Sequence, residues 1–144
     1  MISPMKVILD TNVVVASGWK SEGTCRQVLD TVFYRKIADC YVSSAILLEY
    51  EETAQDRRFR HIHREISRQI RRVRRNARLV EPREMVTILS DPDDNKFLEL
   101  AQAVNADYLI TGDLKAFGEL LFFGSTHIVT PAEFLDVLEA MDRL

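Results

Sequence analysis

Short continuous apolar runs alternate along this chain with longer stretches in which apolar residues recur every three or four positions. Val7-Ile8-Leu9 is short, unbroken and β-branched, the pattern of a strand buried on both faces. Ser21 to Lys36 reads as a helix with Val28, Leu29, Val32 and Phe33 on one side. Tyr41-Val42 is a short strand candidate, and Ser43 or Ser44 can cap the helix that follows and runs toward Gln55. From about Arg57 to Arg75, Phe59, Ile62, Ile66, Ile70 and Val73 form one apolar stripe, which predicts an amphipathic helix with a basic outer face. Arg78-Leu79-Val80 is a short strand or a connection. After Pro92, a helix from about Asp93 to Val104 turns Phe97, Leu98, Ala101 and Val104 inward. Tyr108 to Thr111 reads as a strand, Leu114 to Leu121 as a short helix, and His127 to Thr130 as another strand. Thr130-Pro131-Ala132-Glu133 is a capping box with proline at the first helical position, opening a terminal helix through Met141. Strands alternating with helices predict an α/β sandwich around a mostly parallel sheet. No repeat, low-complexity segment or linker interrupts the pattern, so one domain over residues 1–144 is expected.

Composition narrows the class. An apolar share of 47% with 28% charged residues fits a globular chain and argues against disorder. No apolar run approaches the roughly 20 residues that a membrane-spanning helix needs. Met1 to Lys6 lacks a signal peptide's order of basic, apolar and small residues, so a cytoplasmic location is expected. Cys25 and Cys40 form no CxxC pair and read as buried or partly buried thiols.

The net charge of −3 hides a strong asymmetry. Residues 57–78 hold ten arginines and one acid, a net +9, while the remainder holds nine basic and twenty-one acidic residues, a net −12. Such a separation points to a polyanionic partner.

Four acids stand where a parallel α/β protein would gather them. Asp10 follows Val7-Ile8-Leu9, and Asp113 follows Tyr108-Leu109-Ile110-Thr111-Gly112. Strand ends of an open parallel sheet open onto one crevice, and ligands bind there. An N-cap role explains each aspartate equally well taken singly. Asp94, Phe97, Leu98 and Ala101 are spaced i, i+3, i+4 and i+7, which puts Asp94 on the inward helical face and leaves Asp93 as a cap or a solvated residue. Asp91 could turn toward the same site. Asp91, Asp93 and Asn95 resemble the start of a calcium loop, but Lys96 stands at the required glycine and Gln102 at the bidentate glutamate. Glu49 has Glu51 and Glu52 beside it, and an acidic outer helix face accounts for all three. Carboxylates crowded into one crevice repel one another unless a cation or shared proton compensates. Mg²⁺ or Mn²⁺, hard cations with oxygen ligands, would do so.

Leu9-Asp10-Thr11-Asn12-Val13, the helix from Ser44 to Glu49-Tyr50, Asp94 with Phe97-Leu98 and Ala101, and Leu109-Ile110-Thr111-Gly112-Asp113 together resemble the PIN domain, in the family's order and over roughly residues 6 to 135. The Glu49-Tyr50 pair, Arg58-Phe59 and the Asp91-Pro92-Asp93-Asp94-Asn95 run are most similar to its bacterial and archaeal branch of toxins from toxin–antitoxin pairs, relatives of VapC. The resemblance implies a three-layer α/β/α sandwich and a Mg²⁺- or Mn²⁺-dependent ribonuclease site. It implies that Asp10, Glu49, Asp94 and Asp113 are the catalytic and metal-binding acids, with Asn12 and Thr111 orienting them and Asp91 as an additional acid. It also implies an RNA substrate, an antitoxin partner and a homodimer. The chain departs from the small toxins at Leu89-Ser90-Asp91-Pro92, where they often carry an arginine before the third acid.

In this reading Asp10 and Asp94 ligate directly, Asp113 ligates directly or through water, and Glu49 positions water or a second ion. Arg64, Arg68, Arg71, Arg72 and Arg75 of the basic helix are candidate contacts to RNA phosphates. Docking against an acidic patch on this chain, on a second copy or on an antitoxin is the other reading of that helix. Trp19 and Phe59 could stack on bases, with core packing the simpler role for Phe59. Rival functions are weaker. A haloacid-dehalogenase-type phosphatase needs a second aspartate where Asn12 stands. A receiver domain needs a late lysine, for which Lys115 is a poor candidate. A non-catalytic RNA-binding PIN module and a PIN nuclease acting on DNA are the nearer alternatives.

Overall fold

The computed structural model describes residues 4–144. The expectation about a signal peptide rests partly on residues 1–3, which lie outside the described residues. The chain runs β1 (Met5–Leu9), α1 (Thr11–Trp19), α2 (Thr24–Leu29), β2 (Ala38–Val42), α3 (Ser44–Ala54), α4 (His63–Asn76), β3 (Arg78–Leu79), α5 (Asn95–Val104), β4 (Tyr108–Ile110), β5 (Phe122–Phe123), β6 (Thr126–Val129) and α6 (Pro131–Ala140). The six strands lie in the order β3-β2-β1-β4-β6-β5, parallel except for β5 against β6. Helices flank the sheet in an α/β/α sandwich. No helix among the described residues is long and apolar enough to cross a membrane.

β1 is central, and its last three residues, Val7, Ile8 and Leu9, are apolar and fully buried. It pairs with β2 on one side and β4 on the other. The chain moves outward from β1 through β2 to β3, then returns to β4 on β1's free side. The strand order therefore reverses between β1 and β4, which opens a crevice beyond their C-terminal ends. Asp10 and Asp113 follow those two ends.

Three elements differ from the sequence pattern. The stretch expected as one helix from Ser21 to Lys36 is α2 continued by a π turn over Asp30–Tyr34. The arginine-rich helix begins later than expected. Asp56 caps a 3-10 turn over Arg57–Ile62, and α4 starts only at His63, although the expected stripe still points inward. Leu114–Phe117 is a 3-10 turn, after which β5 forms a short antiparallel edge. The capping box of α6 is present, with Thr130 and Glu133 bonded reciprocally at 3.1 and 2.9 Å.

No element is predicted from sequence between Thr11 and Lys20, where the structure has α1. Its apolar residues do not make one stripe, because it is covered almost all round: Thr11, Val13, Val14, Val15, Ser17 and Gly18 are buried. α1 packs against α2, α3 and α4. Gly18 is the point of closest approach to α4, where an added Cβ would stand 2.7 Å from Ile66 Cα and 2.8 Å from its nitrogen. Both are backbone atoms, so neither can move aside without shifting a helix. Gly18→Ala should therefore lower stability by about 1–3 kcal/mol despite alanine's better helix propensity. A thermal melt checks this, and a Tm equal to or above wild type contradicts the close packing.

Candidate active site

A cleft of about 500 Å³ lies at the β1–β4 reversal, and Asp10, Glu49, Asp94 and Asp113 all line it. Each arrives on a different segment. Asp10 is the N-cap of α1, Glu49 is on α3, Asp94 ends the 3-10 turn Pro92–Asp94 before α5, and Asp113 precedes the 3-10 turn after β4.

Asp10 is the most constrained of the four. Its Oδ1 accepts from the Thr11 backbone N–H at 2.7 Å. Its Oδ2 accepts from the Thr111 hydroxyl at 2.7 Å and the Asn12 amide at 3.1 Å. Asn12 reaches across the crevice, its Oδ1 accepting from the Gly112 N–H at 2.8 Å, and Thr111 Oγ1 accepts from the Asp113 N–H at 2.9 Å. Asn12 and Thr111 thus lock the start of α1 to the loop after β4. From below, the buried Tyr50 hydroxyl donates to the carbonyl of Leu9, the residue before Asp10. Asp10 is therefore both a helix cap and a cleft carboxylate. Asp113 stands at a cap position but its side chain accepts no capping hydrogen bond, so its carboxylate is left to the cleft.

Glu49 is held at both oxygens. Thr11 Oγ1 donates to Oε2, and Lys96 Nζ donates to Oε1 at 2.8 Å. Asp91 does not line the cleft. Its Oδ1 accepts from the Asp93 N–H at 3.0 Å, so it caps the 3-10 turn, while Asp93 is solvated. None of Arg64, Arg68, Arg71, Arg72 and Arg75 lines the cleft. Arg72 is tied to Asp30 at 2.6 Å and lies over the Phe33 ring, and Arg68 pairs with Glu65 at 3.0 Å. Arg64, Arg71 and Arg75 make no ion pair among the described residues and are exposed. Thr11, Trp19 and Arg58 line the cleft without having been assigned to it from sequence, and Lys96 reaches it through Glu49. The signal for Thr11 and Trp19 was α1 itself: Thr11, Val15 and Trp19 are spaced i, i+4 and i+8, one helix face.

The carboxylates are under electrostatic load. Burial pushes the Asp10 carboxyl up to about 6 against the lowering pull of Thr111 and the Thr11 N–H, and Glu49 and Asp94 add repulsion. Burial, then the charges of Asp91, Glu49 and Asp93, push Asp94 up to about 6, with Lys96 pulling the other way. Burial works against the charge of Lys96, but Glu49, Asp93 and Asp94 outweigh it and raise its pKa. Four carboxylates against Lys96 and Arg58 leave the cleft two negative charges in excess. Hard oxygen donors with uncompensated charge suit a divalent cation. The acids face the cleft without three of them gathered in ready ligating geometry among the described residues.

A model of the PIN domain matches residues 6–115. The chain belongs to the PIN domain family. Proteins of this family are nucleases, hydrolases of nucleic-acid phosphodiesters, and in general use divalent metal ions. This PIN protein is 28% identical over 145 residues to the uncharacterized protein MJ1680 of Methanocaldococcus jannaschii, across 94% of this chain and 92% of that one. Its fold is similar to that of PAE2754 from Pyrobaculum aerophilum, with a TM-score of 0.64 and 13% identity over 94% of this chain and 90% of the other. It is also similar to a structure of VapBC2 from Rickettsia felis bound to a promoter DNA fragment, with a TM-score of 0.59 and 14% identity over 88% and 98%. At these identities the two structures speak to the fold.

The raised pKa of Asp94 has a consequence for stability. An acid whose folded-state value lies above its ordinary 3.8 takes up a proton on folding between about pH 4 and 6. The stabilisation is present at low pH and lost as pH rises through about 6. Asp94→Asn removes this loss. In melts with EDTA, the stability of the variant relative to wild type should rise between pH 4 and pH 7, by about 0.5–1 kcal/mol given solvent screening. A difference that does not change with pH contradicts the crowding.

Proposed function

We propose that this PIN nuclease is an endoribonuclease dependent on Mg²⁺ or Mn²⁺, acting in the cytoplasm as the toxin of a toxin–antitoxin pair. The carrying observation is the meeting of Asp10, Glu49, Asp94 and Asp113, from four segments, in one cleft at the sheet's reversal point. The likeness to the VapBC2 structure supports a toxin role and an antitoxin partner. RNA as the substrate is supported by the exposed, unpaired arginines of α4, which suit a phosphate backbone. A homodimer is part of the proposal, with the exposed Leu121 and Phe122 at the β5 edge as candidate contacts.

A divalent cation in the cleft would supply the charge that acidifies a water and neutralises the phosphate. Asp10 and Asp94, whose carboxyls are pushed up by burial and by neighbouring acids, would hold it, with Asp113 directly or through water. Asn12 and Thr111 fix the orientation of Asp10. Glu49, clamped by Thr11 and Lys96, orients the water at the phosphate. The buried floor of β1 and Tyr50 keeps these groups from relaxing apart.

Cleavage of a mixed pool of single-stranded and structured RNAs, with Mg²⁺, Mn²⁺ or EDTA, tests the reading. Activity should require the cation and disappear in Asp10→Asn and Asp94→Asn. Thr111→Val, which removes only an orienting hydroxyl, should cost about 10–100-fold. RNA binding without cleavage under every metal would instead favour a non-catalytic RNA-binding module, and cleavage of DNA alone a DNA nuclease.

The basic helix has its own test. Arg64→Glu, Arg71→Glu and Arg75→Glu should weaken RNA binding, each flattening the plot of log affinity against log salt by roughly 0.7. An unchanged slope would assign the arginines to a protein partner.

A further inference from the structure

Beside the four acids, one wall of the cleft is aromatic. Trp19, the last residue of α1 and the chain's one tryptophan, lines it together with Phe59 and Arg58. Phe59 is buried, whereas Trp19 keeps 49% of its surface accessible. Tyr34 and Met85 are more exposed still, so exposure by itself decides nothing. Position and support single out Trp19. Its ring packs nearly perpendicular to Phe59, centroids 5.7 Å apart at 82°, and to His61, 5.9 Å at 88°. Two perpendicular neighbours fix the indole in place, and about half of its surface stays open. Arg58 is fixed as well. Its Nε and Nη2 each donate to Asp56 at 3.1 Å, and its guanidinium sits 5.1 Å over the Phe59 ring. The 3-10 turn Arg57–Ile62 carries Phe59, Arg58 and His61 together, and α4 continues from it and packs on α1. The wall is thus preorganised by the packing that includes the Gly18–Ile66 approach.

We propose that Trp19, supported by Phe59 and flanked by Arg58, is a nucleobase-stacking subsite that takes an unpaired base beside the acids. The proposal rests on the ribonuclease reading and deepens it. An indole beside the acids offers a π surface to the base next to the reacting phosphodiester, and Arg58 offers charge to a phosphate or a second plane to that base. Stacking requires an unpaired base, since the bases of an A-form duplex are closed to aromatic side chains. The cleft's volume of about 500 Å³ falls within the roughly 300–1,000 Å³ of small-molecule sites, room for a nucleotide. Every base has a π face, so the subsite selects strandedness before sequence.

The single tryptophan makes the subsite its own reporter. In EDTA, the full chain is titrated with a single-stranded RNA, with the same strand in a duplex, and with a strand of equal charge lacking bases. Tryptophan emission should be quenched by the first alone. Trp19→Ala should weaken binding of the single strand about 5- to 150-fold and leave the baseless strand unaffected, while Trp19→Phe should recover much of the loss. Equal quenching by the baseless strand, or unchanged affinity in Trp19→Ala, overturns the subsite. The two readings separate cleanly. Base-dependent quenching without cleavage in any metal would sink the ribonuclease and keep the subsite. Metal-dependent RNA cleavage with no base-dependent quenching would sink the subsite and keep the ribonuclease.

Discussion

The structure turns on one buried carboxylate at the end of its central strand. Asp10 is 6% exposed, and a charge taken that far from water is costly unless it is paired and hydrogen-bonded. The fold supplies three donors, from Thr11, Asn12 and Thr111. Thr111 can be one of them only because β4 pairs directly with β1, in register Leu9 to Ile110. Even so, burial and the neighbouring acids push Asp10 up to about 6. Its hydrogen bonds settle orientation and leave charge uncompensated. An acid arranged for stability alone would have been given a cationic partner. Asp10 instead has a geometry that a cation can complete.

Glu49 shows the contrast. It has a cation already, Lys96, and the Thr11 hydroxyl holds its other oxygen. The ion pair ties α3 to α5, so it fixes the separation between the elements that carry Glu49 and Asp94. Lys96 stands two residues beyond Asp94, which places its ammonium inside the same acidic field and raises its pKa despite burial. The four acids are therefore not equivalent. Asp10 and Asp94 are pushed up by burial and neighbouring charge, Glu49 is clamped, and Asp113 makes neither an ion pair nor a cap bond among the described residues. Such an asymmetry would let Asp10 and Asp94 hold a cation while Glu49 orients what the cation acts on.

The sheet was legible in sequence wherever a strand was short, apolar and unbroken: β1, β4 and β6 are near their expected places, and the candidates at β2 and β3 are strands too. α1 was not, because Val13-Val14-Val15 and Gly18 are poor helix formers and an all-round buried helix has no polar face to give it a period. That omission hid the most. With α1 in place, Thr11 falls beside Glu49 and Trp19 reaches the cleft. Asp10, Asp94 and Asp113 could be read as neighbours from their places at element ends, and Glu49 from the family's motif order. Lys96 could not, since its bond to Glu49 depends on how α3 meets α5, a tertiary fact with no local signature. Asp91 went the other way: its place beside the third acid suggested the site, and the need to cap Pro92–Asp94 took it.

The basic segment looks, from charge alone, like one phosphate-binding surface. The structure divides it. Arg68, Arg72 and Arg74 pair with Glu65, Asp30 and Glu51, and Arg58 is turned by Asp56 into the cleft wall. Arg64, Arg71 and Arg75 keep their charge toward solvent, away from the four acids. A polyanion near this protein is therefore repelled at the cleft and attracted over α4. The two fields oppose each other, and a divalent cation held by the acids would cancel the cleft's two excess negative charges. Without it, a single strand would be held by α4 and the Trp19 wall against the repulsion of the acids. With it, that repulsion would be gone and the pull of α4 would be unopposed. A cation at the acids would therefore strengthen binding of a nucleic acid in addition to any chemistry it supplies.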